Sequence, residues 1–143
     1  MEYNALYPEL IVKDIDHSHG FYVTLLGFKI EYRRDEERFS FLSFGEAQLM
    51  LLEDSDNKHS QTGPMEYPRG QGVNISIVTT NLNDIEKKLD SNGYPLRIPV
   101  RDQWHRNNTI ENGERQLWVM DPDGYLLRFI EFIGSRRASK KYQ

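Results

Sequence analysis

An arginine within an otherwise apolar strand is the most unusual chemical group of this sequence. Arg128 shares one face of the predicted strand with Leu126 and Ile130, because alternate residues of a strand point to the same side. If that face lines a cavity, the guanidinium could bind a carboxylate or a phosphate through two parallel hydrogen bonds. The alternative is an ion pair with Glu9 or another acid that only closes the sheet, since a buried arginine needs a partner in either case.

The two tryptophans are the next candidates for contact with a ligand. Trp118 shares a predicted strand face with Gln116 and Met120, whereas Trp104 stands beside His105 in a polar segment. An aromatic side chain in a polar loop is typical of a flap that stacks on a planar ligand, or of a dimer contact. Core packing is the alternative for both tryptophans.

Conventional catalytic groups are sparse. The sequence has no cysteine, which excludes thiolate catalysis, disulfides and thiolate metal sites. His17 and His19 would diverge by about 200° at a helix start and could not chelate one ion together. His105 has no identifiable partner for acid–base chemistry, and Asp121 and Asp123 stand in a DPDG sequence that is typical of a turn. The residues alone therefore identify no catalytic group.

Two stretches with one pattern must position these side chains. Residues 10–30 and 75–98 each contain an apolar strand, a turn, an amphipathic helix that a glycine ends, and a second apolar strand. The turn residues Asp14 and Asn81 are 67 residues apart, and the helix-ending glycines are 66 apart. This period is too long for a solenoid and too short for two independent domains. It predicts two half-modules that pack together around a ligand cleft.

Each module is expected to fold as β-α-β-β-β within one domain of residues 1–143. The predicted parts are module one at 5–53, a linker at 54–72, module two at 73–133 and a disordered basic tail at 134–143. In module one we predict a helix from Asp16 to Leu26 and strands at 6–12, 28–33, 39–44 and 47–52. In module two a capping box at Asn83 predicts the helix start, and the later strands are expected at 96–100, 115–120 and 125–132.

Module two also contains an insertion. The interval from the helix-ending glycine to the next turn glycine is 18 residues in module one, from Gly27 to Gly45, and 31 in module two, from Gly93 to Gly124. The additional residues centre on DQWHRNNTIENG. Their polar composition predicts an extra loop over residues 101–114 that carries Trp104.

Composition limits the class of protein. With 143 residues, 38% of them apolar, the chain is large enough for one globular core. A net charge of −4 argues against nucleic-acid binding through a basic surface. No segment approaches the 18 to 20 apolar residues, roughly, of a membrane span, and the first ten residues lack a signal-peptide pattern. We expect a cytoplasmic protein that binds neither nucleic acid nor membrane.

The sequence resembles the vicinal oxygen chelate superfamily, which includes glyoxalase I, extradiol dioxygenases, fosfomycin-resistance proteins and bleomycin-resistance proteins. The matching segments are PELIVKDIDHSHGFYVTLLGF, ISIVTTNLNDIEKKLDSNGY and WVMDPDGYLLRFIE. The likeness covers nearly the whole chain except the linker and the tail. It implies an α+β fold in which paired β-α-β-β-β modules with curled mixed sheets form a cavity, and it implies a homodimer.

Metal-dependent members of this superfamily place His, Glu or Gln ligands at the start of each module's first strand and in the middle of its last strand. The matching positions here are Tyr7, Leu49, Asn74 and Arg128. Leu49 cannot ligate a metal, and Arg128 puts a fixed positive charge where a cation would lie. We therefore expect no metal and no cofactor. The bleomycin-resistance branch resembles the chain most, because its members lack metal and sequester their ligand in an aromatic and acidic crevice between subunits.

These observations predict metal-independent binding of a small antibiotic-like molecule by sequestration, without turnover. An aromatic crevice in an acidic protein suits a planar cationic drug, although Arg128 opposes a cation. The residues expected to bind the ligand are Tyr7, Glu9, Phe39, Phe41, Asn74, Trp104, Trp118 and Arg128. One alternative is a metal-dependent lyase or isomerase of the glyoxalase type, or a dioxygenase. Another is an interaction module with a vestigial cavity.

Overall fold

The structure is a computed structural model that describes residues 1–55 and 59–139. The chain folds into two compact units, and the boundary between them follows Val73. The first unit comprises residues 1–73 together with 121–125, and the second comprises residues 74–120 and the described residues from 126 onward. The DPDG turn of the second repeat therefore belongs to the first unit.

The first unit contains one four-stranded mixed sheet in the order β1-β4-β3-β2, in which β1 runs parallel to β4 and the other pairs are antiparallel. Its strands are β1 (Glu9–Val12), β2 (Lys29–Arg34), β3 (Phe39–Phe44) and β4 (Ala47–Glu53). Helix α1 (Ile15–His19) continues as a π-helical segment (Gly20–Leu25). A 3-10 turn (Asp35–Glu37) connects β2 to β3.

The start of the first helix differs from the prediction. Asp14, not Asp16, is the N-cap, because its carboxylate accepts hydrogen bonds from the backbone N–H groups of Asp16 and His17. The helix then widens, and the N–H of Leu26 donates to the carbonyl of Phe21 five residues earlier. This π-helical segment buries Phe21 and Tyr22.

The second unit repeats this architecture. Its sheet has the order β5-β8-β7-β6, again with one parallel pair, β5 and β8. The elements are β5 (Asn74–Val78), helix α2 (Leu82–Ser91), β6 (Ile98–Asn107), β7 (Ile110–Met120) and β8 (Leu126–Arg137). The predicted α+β fold of two β-α-β-β-β modules with mixed sheets is confirmed, but the expectation that these sheets are curled was wrong.

Helix α2 begins differently from the predicted capping box. Asn81 is its N-cap, and the side-chain oxygen of Asn81 accepts from the backbone N–H of Asp84. The helix buries Leu82, Ile85 and Leu89, each at most 2% exposed, because they recur at the spacing that places them on one face. None of the helices in the described part of the chain is long and apolar enough to cross a bilayer.

The inserted segment is a β-hairpin, so the prediction of a loop over residues 101–114 was wrong. In the register of β6 and β7, Trp104 lies opposite Gly113 and Asn107 opposite Ile110. The backbone N–H and C=O groups of the hairpin are paired between its two strands. This pairing lets a polar sequence form regular strands. Sequence hydropathy does not detect such strands, since neither face of this hairpin has the apolar alternation of a half-buried strand.

The hairpin also orders the beginning of the predicted tail. Strand β8 continues along β7 to Arg137, which lies opposite Ile110. Ala138 is buried, and its N–H donates to the carbonyl of Thr109. The prediction of disorder was therefore wrong for residues 134–137, because the long β7 offers them a pairing partner. Residues 140–143 of that predicted tail lie outside the described residues.

Candidate functional site

Five aromatic rings form a continuous cluster on the first sheet. Phe41 is fully buried at its centre, with ring centroids 5.3 Å from Tyr7, 5.4 Å from Tyr3 and 5.4 Å from Tyr32. Phe39 lies 6.0 Å from Tyr32 and completes what we call the aromatic face, formed by Tyr3, Tyr7, Tyr32, Phe39 and Phe41. Tyr3 and Tyr7 are exposed, so the outer rings of this cluster are accessible within the unit.

Strand register explains why these rings share one side. Phe41 lies opposite Tyr32 on β2 and opposite Met50 on β4, and Met50 in turn lies opposite Glu9 on β1. Directly paired residues point to the same face of a sheet. The structure therefore brings four predicted ligand-binding residues together on one face: Tyr7, Glu9, Phe39 and Phe41.

A cation covers the far end of the aromatic face. The guanidinium carbon of Arg34 lies 4.0 Å from the centroid of the Phe39 ring. Arg34 is also paired with Glu37 at 2.7 Å, and this hydrogen bond raises the pKa of Arg34. The charge of Arg34 is thus already neutralised at the surface.

The second sheet carries a row of polar side chains that starts at Arg128. Its Nε and one Nη donate to Oγ of Ser76 at 3.0 and 2.7 Å, and its guanidinium carbon lies 5.1 Å from the Trp118 ring centroid. Ser76, Arg128 and Trp118 occupy adjacent positions across β5, β8 and β7. Asn74 lies two residues before Ser76 and therefore on the same face.

The row continues along β7 through a buried amide. Trp118 donates its indole N–H to Oε1 of Gln116 at 3.2 Å, and Gln116 donates to Glu114 at 2.8 Å. Gln116 is only 1% exposed. His105 stands at the end of the row, with its Nε2 3.3 Å from Nε2 of Gln116 and 3.6 Å from Glu114. We call these six residues the polar row: Ser76, Arg128, Trp118, Gln116, Glu114 and His105.

Sequence reasoning missed four members of the polar row. Ser76, Gln116, Glu114 and His105 were not among the predicted ligand-binding residues. The alternation of β7 does contain the signal for two of them, because Glu114, Gln116 and Trp118 are two residues apart. Ser76 could be found only from the parallel pairing of β5 with β8.

Trp104 lies on the opposite face of the second sheet. It is paired with Gly113, which is out of phase with Gln116 and Trp118 along β7. A Cβ on Gly113 would lie only 2.7 Å from the Trp104 ring, so the absent side chain makes room for the indole. Arg136 covers that ring with its guanidinium carbon 4.0 Å from the centroid, and Glu111 accepts from Arg136 at 2.7 Å. The structure therefore does not bring Trp104 together with Trp118 and Arg128.

Strand register corrects one of the four positions matched to metal ligands. Glu9 and Ser76 are equivalent in the repeat, and their strand partners are Met50 and Arg128 respectively. Met50 is thus the counterpart of Arg128, whereas Leu49 is 2% exposed and lies on the other face of β4. Alignment on the turn glycines placed this position one residue too early.

The corrected positions do not fit a divalent metal ion. They supply a phenol and a thioether in the first unit (Tyr7 and Met50) and an amide and a guanidinium in the second (Asn74 and Arg128). Divalent metals such as zinc and magnesium prefer imidazole, thiolate or carboxylate ligands, and a guanidinium repels them. Within residues 1–55 and 59–139, no group of three or more His, Cys, Asp or Glu side chains is placed to hold a metal.

The DPDG sequence forms a turn, as predicted. Oδ1 of Asp121 accepts from the N–H groups of Asp123 and Tyr125, and its Oδ2 accepts from the Tyr22 hydroxyl at 2.7 Å. Burial raises the pKa of the Asp121 carboxyl to about 6, although these hydrogen bonds oppose the rise. Asp123 accepts from the backbone N–H of Lys13. Both carboxylates hold backbone in place.

Comparison with known proteins identifies the family. Residues 5–129 match the family described as the Glyoxalase/Bleomycin resistance protein/Dioxygenase superfamily. The chain belongs to this superfamily. A bleomycin resistance protein from Geobacillus stearothermophilus is 31% identical over 137 residues, which covers 90% of this chain and 96% of that protein.

Solved structures agree with this superfamily at the level of the fold. A virulence protein from Salmonella typhimurium has a TM-score of 0.66 at 19% identity, with coverage of 93% of this chain and 100% of that one. A glyoxalase/bleomycin resistance protein/dioxygenase from Alicyclobacillus acidocaldarius has a TM-score of 0.61 at 20% identity, with coverage of 92% and 93%.

Proposed function

We propose that this member of the superfamily binds a small, planar, antibiotic-like molecule and acts by sequestration, without metal and without turnover. The expectations of a homodimer and of a cytoplasmic setting are part of this proposal. The 31% identity to a bleomycin resistance protein over nearly the full length of both chains supports it and makes bleomycin the first ligand to test.

The chemistry at the four matched positions carries the proposal. Tyr7, Met50, Asn74 and Arg128 offer stacking, dispersion and hydrogen bonding, but they provide no Lewis acid site. The same faces continue these properties through the aromatic face of the first unit and the polar row of the second. Each face by itself combines polar and aromatic side chains, which is typical of a surface that binds and orients a small molecule.

The two tryptophans allow a direct binding test. Trp104→Phe leaves Trp118 as the single indole emitter, and Trp118→Phe leaves Trp104. On titration with metal-free bleomycin, we expect saturable quenching in wild type and in Trp104→Phe, because Trp118 lies on the proposed binding face. Trp118→Phe should lose most of the signal. Saturable quenching that persists in Trp118→Phe and is lost in Trp104→Phe would instead place the ligand against the hairpin.

Two further measurements test the metal and assembly parts of the proposal. Elemental analysis of protein purified without added metal should give far less than one equivalent of zinc, iron, manganese or nickel per chain. One equivalent would favour a metal-dependent lyase, isomerase or dioxygenase and would contradict sequestration without metal. Light scattering should give twice the 16.9 kDa chain mass, and a monomer would remove the homodimer from the proposal.

A further inference from the structure

Among the described residues of the second unit, Arg128 has no acidic partner. The ion pairs of the described residues in the second unit involve Lys88, His105, Arg115 and Arg136, and no carboxylate there lies within 4.0 Å of Arg128. Its Nε and one Nη contact only the neutral hydroxyl of Ser76. A half-buried guanidinium next to apolar surface therefore keeps its full positive charge.

The edge of the Arg128 guanidinium that carries the two Nη groups remains available to bind a ligand. The two hydrogen bonds to Ser76 use Nε and one hydrogen of one Nη. Because a guanidinium has five N–H groups in one plane, the second hydrogen of that Nη and those of the other Nη still form an end-on fork. This fork matches the two oxygens of a carboxylate or the oxygens of a phosphate.

The neighbours of Arg128 fix its orientation before a ligand arrives. Ser76 holds one edge of the guanidinium and Trp118 lies beneath it at 5.1 Å. The indole is itself held by its hydrogen bond to Gln116, which is buried. A charged fork that is already oriented loses little side-chain entropy on binding, and the Trp118 ring offers an aromatic surface beside it.

We infer that Arg128 is the receptor for an anionic group of the ligand, and that the ligand is an aromatic oxyanion with its carboxylate or phosphate on the Arg128 fork and its ring beside Trp118. This inference rests on the proposed function and names its ligand class. It replaces the planar cation that the acidic composition had suggested. The polar row, not the net charge of the chain, sets the sign of the ligand.

Matched probes test the charge requirement. We would titrate the full-length protein with 2-naphthoate, 2-naphthyl phosphate and the uncharged 2-naphthamide, and measure Kd by calorimetry. At least one of the two anions should bind about tenfold more tightly than the amide, since a hydrogen bond to a charged group outweighs a neutral one. The better anion separates a carboxylate receptor from a phosphate receptor.

Matched variants test the residue. Arg128→Gln should remove the preference for the anion, and Arg128→Lys should keep part of it, because lysine retains the charge but not the fork. Arg136→Gln changes an arginine over a tryptophan on the opposite face and should keep the wild-type preference. Thermal unfolding of each variant verifies that it folds.

Several outcomes would overturn the inference while leaving sequestration intact. These are equal affinity for the anions and the amide, an unchanged preference in Arg128→Gln, or binding of bleomycin without binding of either anion at millimolar concentration. The proposed function fails separately, if neither bleomycin nor any of the three naphthyl probes gives saturable binding to wild type.

Discussion

Two arginine–tryptophan pairs lie on opposite faces of the second sheet, and they differ in how the positive charge is balanced. Arg136 covers Trp104 and is paired at 2.7 Å with Glu111, whose side chain is nearly buried. Arg128 covers Trp118 and meets only a serine hydroxyl. The first pair is a closed structural unit, since its charge is satisfied within the protein. In the second pair, the positive charge of Arg128 and hydrogens on both of its Nη groups remain available for a ligand.

A β-bulge creates this difference. Arg128 and Arg136 are eight residues apart and would share a face in a regular strand. The pairing of β8 with β7 shifts at Gly113 and Glu114, where Ile133 is the additional residue. One extra residue reverses the side to which all later side chains point. Arg136 therefore faces Glu111, while Arg128 remains on the face of the polar row.

The largest expected effect on stability is at Gly113, against which the Trp104 ring packs. Gly113→Val would force a side chain to within 3 Å of both the indole and Ile133, and such overpacking should destabilise the fold by about 3 kcal/mol. Urea unfolding at pH 7 measures this loss. Gly20→Ala is the matched control, because a Cβ there meets nothing within 4 Å and Gly20 has helical φ and ψ. A stable Gly113→Val protein would show that Trp104 is not closely packed.

The second prediction concerns the buried carboxyl of Asp121, which belongs to neither arginine–tryptophan pair. The pKa of Asp121 is raised to about 6 in the folded protein, so between about pH 4 and pH 6 the native state binds more protons than the unfolded state. Stability contributed by this group is therefore present at low pH and lost as pH rises through 6. Asp121→Asn removes the titration and can donate to the Tyr22 hydroxyl.

Urea unfolding of both proteins at several pH values measures this effect. The stability of wild type relative to Asp121→Asn should fall by about 2 to 3 kcal/mol between pH 4 and pH 7. A constant difference would show that the carboxyl titrates normally, and a rising difference would show that its pKa is lowered. With that contribution known, the two arginines can be compared at pH 7.

The arginines themselves provide the third prediction. Arg136→Gln leaves the Glu111 carboxylate without its partner and should cost about 1 to 2 kcal/mol, a value discounted because the arginine is half-exposed. The double variant Arg136→Gln/Glu111→Gln should recover part of this loss, as a pair replaced by neutral groups leaves no orphaned charge. If the double variant is less stable than the single one, the ion pair is not the origin of the loss.

The smallest expected effect completes the comparison. Arg128→Gln should change the free energy of unfolding by no more than about 0.5 kcal/mol, since no carboxylate of its unit loses a partner. The same urea experiment at pH 7 measures it. A loss as large as that of Arg136→Gln would mean that Arg128 has a structural role, and it would weaken the assignment of its charge to a ligand.

Local pattern was sufficient for much of the fold. The apolar alternation at 39–44 and 47–52 predicted β3 and β4 to within one residue. Predictions failed where the stabilising partner is remote. The polar strands β6 and β7 form because β7 pairs with both β6 and β8. No apolar periodicity in their sequence indicates that pairing. The helix caps at Asp14 and Asn81 were displaced by two residues, since several candidate capping side chains stand in succession.

The candidate site was predictable only in part, for the same reason. Phe39 and Phe41 alternate along one strand, so their common face was readable, and Arg128 was notable for its apolar neighbours. The assignment of Leu49 instead of Met50 shows the limit of sequence alignment. An error of one residue in the alignment moves a side chain to the other face of a sheet. The alternation of β7 placed Gln116 on the face of Trp118, but only the structure shows that Gln116 is buried and accepts the hydrogen bond of the indole.

The sequence by itself determined the two β-α-β-β-β modules, because apolar periodicity is a local property of the chain. The resemblance to the superfamily added that an arginine stands at a position where metal-dependent members are expected to place a ligand. Only the tertiary structure decided which arginine is neutralised and which is not. That outcome depends on strand register and on one bulge, and both are set by pairing between residues distant in sequence: Glu111 and Arg136 are 25 residues apart, and Ser76 and Arg128 are 52 apart.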